Sequence, residues 1–171
     1  PDVTTLEQWN WCVEGIEEVA GWAEEYGITL ALQNHGPIIK PGYESALEMV
    51  GEVGADNLKL CLDVPLFGDR QDDAYIVEAV EACKDLIVLS HYGSWNFRET
   101  PSGEAVQMPR EGILINYKAF LRELKRIGYK GFLASEECAP VLINHTYQGI
   151  EEVDRRVKAA LRYMRKTIAE A

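Results

Sequence analysis

Four runs of this chain read as buried strands: ITLALQNH (28–35), NLKLCLD (57–63), DLIVLSH (85–91) and GFLASEE (131–137). Each is separated from the next by a stretch with helical spacing, and this alternation is what most restricts the fold. The first helix opens on Thr5-Leu6-Glu7-Gln8, which fits a capping box, and Leu6, Trp9, Val13, Ile16, Ala20 and Ala23 then recur at helical spacing up to a stop at Gly27. Further helices are expected over 43–53, 73–83, 117–127 and 149–169, the last with a stripe of Ile150, Val153, Val157, Leu161, Met164 and Ile168. The segments PLFGDRQDD and His91 to about Asn116 read as loops. An α-β-α-β-α-β-α-β-α order predicts right-handed βαβ units, and so a parallel sheet covered by helices. No low-complexity tract or composition shift divides the chain, which reads as one domain over 1–171.

Each apolar run ends on a polar side chain able to bind a cation. Gln33 offers an amide oxygen, Asp63 a carboxylate, His91 an imidazole and Glu136 a second carboxylate. Ligands of open and closed α/β sheets gather at the carboxyl ends of the strands, where all four residues fall. Taken singly, each has an ordinary explanation in a loop cap or a satisfied core hydrogen bond. Four in succession predict one divalent-ion site. Strand side chains alternate, so Glu136 and Glu137 point to opposite faces, and Glu136 is taken as the inward one. His35 lies two residues beyond Gln33 and offers an acid, a base or a substrate contact. In the loop after His91, Trp95 offers an aromatic stacking face and Arg98 a donor for hydroxyl, carboxylate or phosphate oxygens.

Charge and cysteine spacing remove several function classes. A formal net charge of −11 opposes a polyanion partner, because nucleic-acid binding requires a surface that neutralises phosphates. The apolar runs are of strand length, far short of the roughly 18 residues of a membrane span. Four cysteines without a CxxC pair read as reduced thiols of a cytoplasmic protein rather than as a zinc knuckle or redox motif. The Asn144-His145-Thr146 sequon has meaning only in a secreted protein. A start at Pro1, directly on a helix signal, suggests a fragment.

The phrases YGITLALQNHG, NLKLCLDVP, LIVLSHYGS and INYKAFLRELKRIGYKGFLASEE resemble the C-terminal half of the sugar phosphate isomerase/epimerase family, whose fold is a xylose-isomerase-like TIM barrel. The likeness spans nearly the whole chain and is most specific from Asn116 to Glu136. It implies an α/β fold comprising the C-terminal half, four βα units, of a (β/α)8 barrel. It also implies one divalent ion, Mn2+ or Mg2+ ahead of Zn2+ or Co2+, on a Glu, an Asp, a His and a Glu at the ends of barrel strands five to eight. By motif these positions are Gln33, Asp63, His91 and Glu136. In the family's epimerases the first and last carboxylates also serve as paired acid/bases on opposite faces of the sugar.

Two departures shape the expected chemistry. Gln33 replaces the first carboxylate, and an amide cannot accept a proton at neutral pH, which weakens two-base epimerisation. Leu66 stands where a substrate-contacting histidine is often found. With a metal-polarised carbonyl and one strong base, Glu136 first and His35 second, the reading is a metal-dependent sugar isomerase or epimerase-like enzyme acting on a sugar or oxo-sugar. A lyase subunit that cleaves 3-oxo-(C-)glycosides by elimination is one alternative. A non-catalytic sugar-binding or regulatory subunit with a degenerate metal site is the other. An endonuclease of this superfamily would require more metal ligands than three histidines supply, and a basic groove. Four strands also leave two open edges, so a missing N-terminal half-barrel or a partner chain is expected to complete the barrel, and an oligomer is expected.

Overall fold

The computed structural model describes residues 5–37, 39–93, 96–109, 112–137, 142–143 and 146–171. Helix α1 (Leu6–Glu25) begins with the expected capping box: Thr5 Oγ1 accepts from the Gln8 amide at 3.2 Å, and Gln8 Oε1 accepts from the Thr5 amide at 2.9 Å. Strand β1 (Leu30–Gln33), helix α2 (Glu44–Val53) and strand β2 (Leu58–Cys61) follow, then a 3-10 turn (Val64–Phe67) and helix α3 (Asp73–Cys83). Strand β3 (Ile87–Gly93) leads into an antiparallel hairpin, β4 (Phe97–Glu99) with β5 (Ala105–Gln107). Helix α4 (Tyr117–Arg126), strand β6 (Phe132–Glu136), a short hairpin of β7 (Leu142–Ile143) and β8 (Thr146–Tyr147), and helix α5 (Ile150–Glu170) complete the order.

The main sheet is parallel throughout, with strand order β1-β2-β3-β6. Strands that neighbour each other in sequence neighbour each other in space, the arrangement of four successive units of a (β/α)8 barrel. Leu58, Leu60 and Leu62 point to the helix-covered side, where they join Met49, Ile76, Val80, Phe120 and Leu124 in one buried core. The opposite side is open: Phe132, in register with Leu89, is 81% exposed. Both edge strands, β1 and β6, pair on one side only among the described residues.

Several element ends differ from the sequence reading, each for a local reason. Strand β2 stops at Cys61, because Pro65 lacks an amide hydrogen and favours the 3-10 turn over continued pairing; Asp63 becomes the residue that precedes that turn. Strand β3 runs two residues past His91, since Tyr92 and Gly93 pair with Ser135 and Glu136. The expected loop from His91 to Asn116 contains the β4–β5 hairpin, whose three-residue strands are too short to show alternation. The buried side of α5 is centred on Ala159, Ala160, Met164 and Thr167, while Ile150, Leu161 and Ile168 of the expected stripe are exposed. Leu6 of α1 is exposed as well. Among the described residues no helix is long and apolar enough to cross a membrane.

Candidate metal centre

Period-two alternation sets which side chains meet. Gln33 on β1 lies in register with Cys61 on β2, and Asp63 is two residues further along the same face. His91 on β3 and Glu136 on β6 occupy the matching ends of the next two strands. The resulting cluster is tight: ligand atoms of Cys61, Asp63 and His91 all lie within 4.8 Å of one another.

Asp63 is the hub, and it is 2% exposed. Its Oδ1 accepts from the His91 backbone amide at 2.5 Å, and its Oδ2 accepts from Gln33 Nε2 at 2.7 Å and lies 3.1 Å from His91 Nδ1. Burying a carboxylate is costly unless it is paired or hydrogen-bonded, and these donors answer part of that cost. Cys61 Sγ lies 3.4 Å from Asp63 Oδ1 and 3.4 Å from His91 Nδ1. Burial first, then the negative charges of Asp63 and Glu136, push the Cys61 thiol well above its ordinary range. Gln33 turns its amide nitrogen toward the cluster, since Nε2 is also 3.4 Å from His91 Nδ1.

Asn34, buried beside Gln33, clamps the backbone under the site. Its Nδ2 donates to the carbonyls of Gly42 at 2.9 Å and Asp63 at 3.2 Å, and its Oδ1 accepts from the Asp63 amide at 2.8 Å. One side chain thereby fixes the β2 exit against the loop that leads into α2. Glu136 is half-buried and carries no side-chain hydrogen bond among the described residues, which leaves its carboxylate oxygens available. Glu137 behaves differently: burial raises its carboxyl above the ordinary range, partly offset by Arg156 of α5. The charge of Glu136 thus acts on Cys61, whereas that of Glu137 is met by Arg156 of α5.

Among the described residues, the His35 and Arg98 side chains make no hydrogen bond to this cluster. His35 is exposed, with Nδ1 2.7 Å from the Gly36 carbonyl and its amide donating to Gln33 O at 2.8 Å. Arg98 is exposed on β4. Trp95 lies outside the described residues. Two contributors escaped the sequence reading. Cys61 was legible from its place two residues before Asp63, because such residues share a strand face. Asn34 had only its position next to Gln33 to mark it.

The donor set suits a divalent ion: a buried carboxylate, an imidazole and a thiol converge, with a second carboxylate close enough for its charge to act on the thiol.

Comparison with solved structures finds the same fold. D-psicose 3-epimerase from Clostridium cellulolyticum H10, with D-tagatose, is 21% identical at a TM-score of 0.70, over 98% of this chain and 59% of that one. The 3-keto-D-glucoside 4-epimerase YcjR from E. coli is 14% identical at a TM-score of 0.64, over 97% of this chain and 57% of that one. The IOLI protein with a bound zinc atom is 22% identical at a TM-score of 0.63, over 98% and 60%. The chain thus spans somewhat more than half the length of these relatives. Comparison with curated protein sequences finds no match. A family profile described as xylose isomerase-like TIM barrel matches residues 1–167. With nearly its whole length inside that profile, the chain belongs to the xylose isomerase-like TIM barrel family.

Proposed function

We propose that this chain supplies the metal centre of a carbohydrate isomerase or epimerase-like enzyme that abstracts a proton next to a carbonyl of a sugar or oxo-sugar. The observation that carries this reading is the buried Asp63 carboxylate with His91 and Cys61 around it at the carboxyl ends of parallel strands. Asp63, His91 and Glu136 would hold the ion, and Gln33 would orient Asp63 through its 2.7 Å hydrogen bond. A divalent ion bound there supplies Lewis-acid polarisation of a carbonyl oxygen, a contribution of several kcal/mol in such sites. Glu136 is the first choice to take the proton from the adjacent carbon, and His35 the second. Trp95 and Arg98 are proposed to contact the sugar.

Gln33 cannot exchange a proton at neutral pH, so the chemistry is written with one base. That favours 1,2-isomerisation, or elimination from a 3-oxo-glycoside by a lyase, over epimerisation with two opposed carboxylates. The 3-keto sugar in the name of one structural neighbour supports the oxo-sugar choice. The open inner face of the sheet and the greater length of the neighbours support a further set of βα units, on the same polypeptide or a partner chain, that closes the pocket.

Metal content of the purified chain, measured by inductively coupled plasma mass spectrometry, tests this directly. About one divalent ion per chain is expected, lost in Asp63→Ala. Where an oxo-sugar exchanges its α-proton with deuterated solvent, Glu136→Gln should slow that exchange by about 10²- to 10⁴-fold. A wild-type chain that takes up no ion even from excess Mn2+ or Zn2+ would refute the proposal. It would then favour a sugar-binding or regulatory subunit, the reading in which the Gln33–Asp63 hydrogen bond marks a degenerate site.

A further inference from the structure

We propose that Cys61 is itself a ligand of the metal, and that its thiolate makes the centre select zinc-like ions over Mg2+ and Mn2+. The inference rests on the metal reading of the site and adds to it a ligand outside the four strand-end residues.

Three observations lead there. First, the separations among donors fit a tetrahedral ion. A sulfur at about 2.3 Å and a nitrogen at about 2.0 Å from zinc stand about 3.5 Å apart at the tetrahedral angle, and an oxygen and a nitrogen about 3.3 Å. Cys61 Sγ and His91 Nδ1 are 3.4 Å apart, and Asp63 Oδ2 and His91 Nδ1 are 3.1 Å apart. Second, Gln33 offers the cluster its amide nitrogen, at 2.7 Å from Asp63 Oδ2 and 3.4 Å from His91 Nδ1. With its amide engaged to Asp63, Gln33 acts as a partner of the carboxylate, so a ligand place at the end of β1 is left open. Cys61 lies in register with Gln33 on the adjacent strand and faces the same side, which puts its sulfur next to that place. Third, Cys61 does not do what a buried thiol ordinarily does, which is to fill an apolar gap. Cys83 does that, inside the core of the helix-covered side. Cys61 is equally buried, yet its sulfur contacts a carboxylate and an imidazole.

The consequence for metal choice follows from ligand softness. A thiolate favours zinc and other thiophilic ions, whereas Mg2+ and Mn2+ favour carboxylate, carbonyl and water oxygens. Cys61, Asp63 and His91 bring sulfur, oxygen and nitrogen donors within 4.8 Å of one another, a mixed set of the kind zinc accepts, with Glu136 as the neighbouring carboxylate.

Cobalt spectroscopy on the full chain separates this inference from the reading beneath it. Co2+ added to the metal-free wild type should give visible d–d bands, which report binding, and a sulfur-to-cobalt charge-transfer band in the near ultraviolet, which reports the thiolate. Cys61→Ser should keep the d–d bands and lose the charge-transfer band, and its Zn2+ affinity should fall on the order of 100-fold, since outer-shell changes alone cost about 10- to 100-fold. Cys12→Ser and Cys83→Ser should leave both features in place. X-ray absorption of the zinc-loaded wild type needs no variant, and should show one sulfur at about 2.3 Å with nitrogen and oxygen at about 2.0–2.2 Å. Bound cobalt without the charge-transfer band, or a band that survives Cys61→Ser, would overturn the role of Cys61 and leave the metal site standing. No bound cobalt in the wild type would overturn both.

Discussion

The two sides of the parallel sheet are built on different terms. On the helix-covered side, Leu58, Leu60 and Leu62 are buried against α2, α3 and α4, and this packing forms the core of the chain. On the inner side the same strands carry Gln33, Lys59, Cys61, His91 and Glu136, with few large apolar groups, and Phe132 lies in the open. The first side holds the fold together through apolar burial. The second carries polar groups whose placement costs stability and is compensated by hydrogen bonds at one end of the strands. Stability and chemistry are thus divided between faces that alternate residue by residue along each strand.

The sharpest way to break this comparison is a pair of truncations measured by urea unfolding. Leu60→Ala on the covered side should cost about 2–5 kcal/mol, while Phe132→Ala on the open side should change stability by less than about 0.5 kcal/mol. Equal losses would mean that the inner face is packed in solution. Next in size, Asn34→Ala should cost about 1–3 kcal/mol, because it leaves the Gly42 and Asp63 carbonyls and the Asp63 amide without their partner. A neutral result would show that the clamp beneath the site contributes nothing to the fold.

The smallest effect belongs to the first turns of α5, where Glu152 pairs with Arg155 and Arg156. Hydrogen bonds from those two guanidinium groups lower its carboxyl from 4.5 to about 2. A depressed folded-state value stabilises the protein above the unfolded-state value, so the contribution is present above pH 4.5 and disappears as pH falls toward about 2. Glu152→Gln should therefore cost about 0.2–1 kcal/mol at pH 7, and the gap from wild type should close in acid. A gap that persists at low pH would place the effect in helix packing rather than in charge.

Much of the fold was legible because its elements are long and periodic. The α1 capping box, the span of α3 and the α/β alternation all follow from residue spacing that local geometry enforces. The short β4–β5 hairpin was not, since three-residue strands carry no detectable period and owe their pairing to contact with α5. The face of α5 was misjudged for a related reason. Its sequence offers two overlapping apolar stripes, and only the position of the sheet and hairpin decides that Ala160 and Met164 face inward while Leu161 and Ile168 do not.

The candidate site divides in the same way. Four polar strand ends could be counted in the chain, because alternation and strand termini are local properties. Their distances could not, because they depend on register between strands far apart in sequence. Register is what brings Cys61 beside Gln33 and sets its sulfur 3.4 Å from His91. The sequence alone determined the order of elements and the kinds of donor available at the strand ends. Only the tertiary structure decided that a thiol shares the site, that Gln33 presents nitrogen rather than oxygen to Asp63, and that Asn34 holds the arrangement from below, since each of these depends on hydrogen bonds or contacts between separate strands and loops.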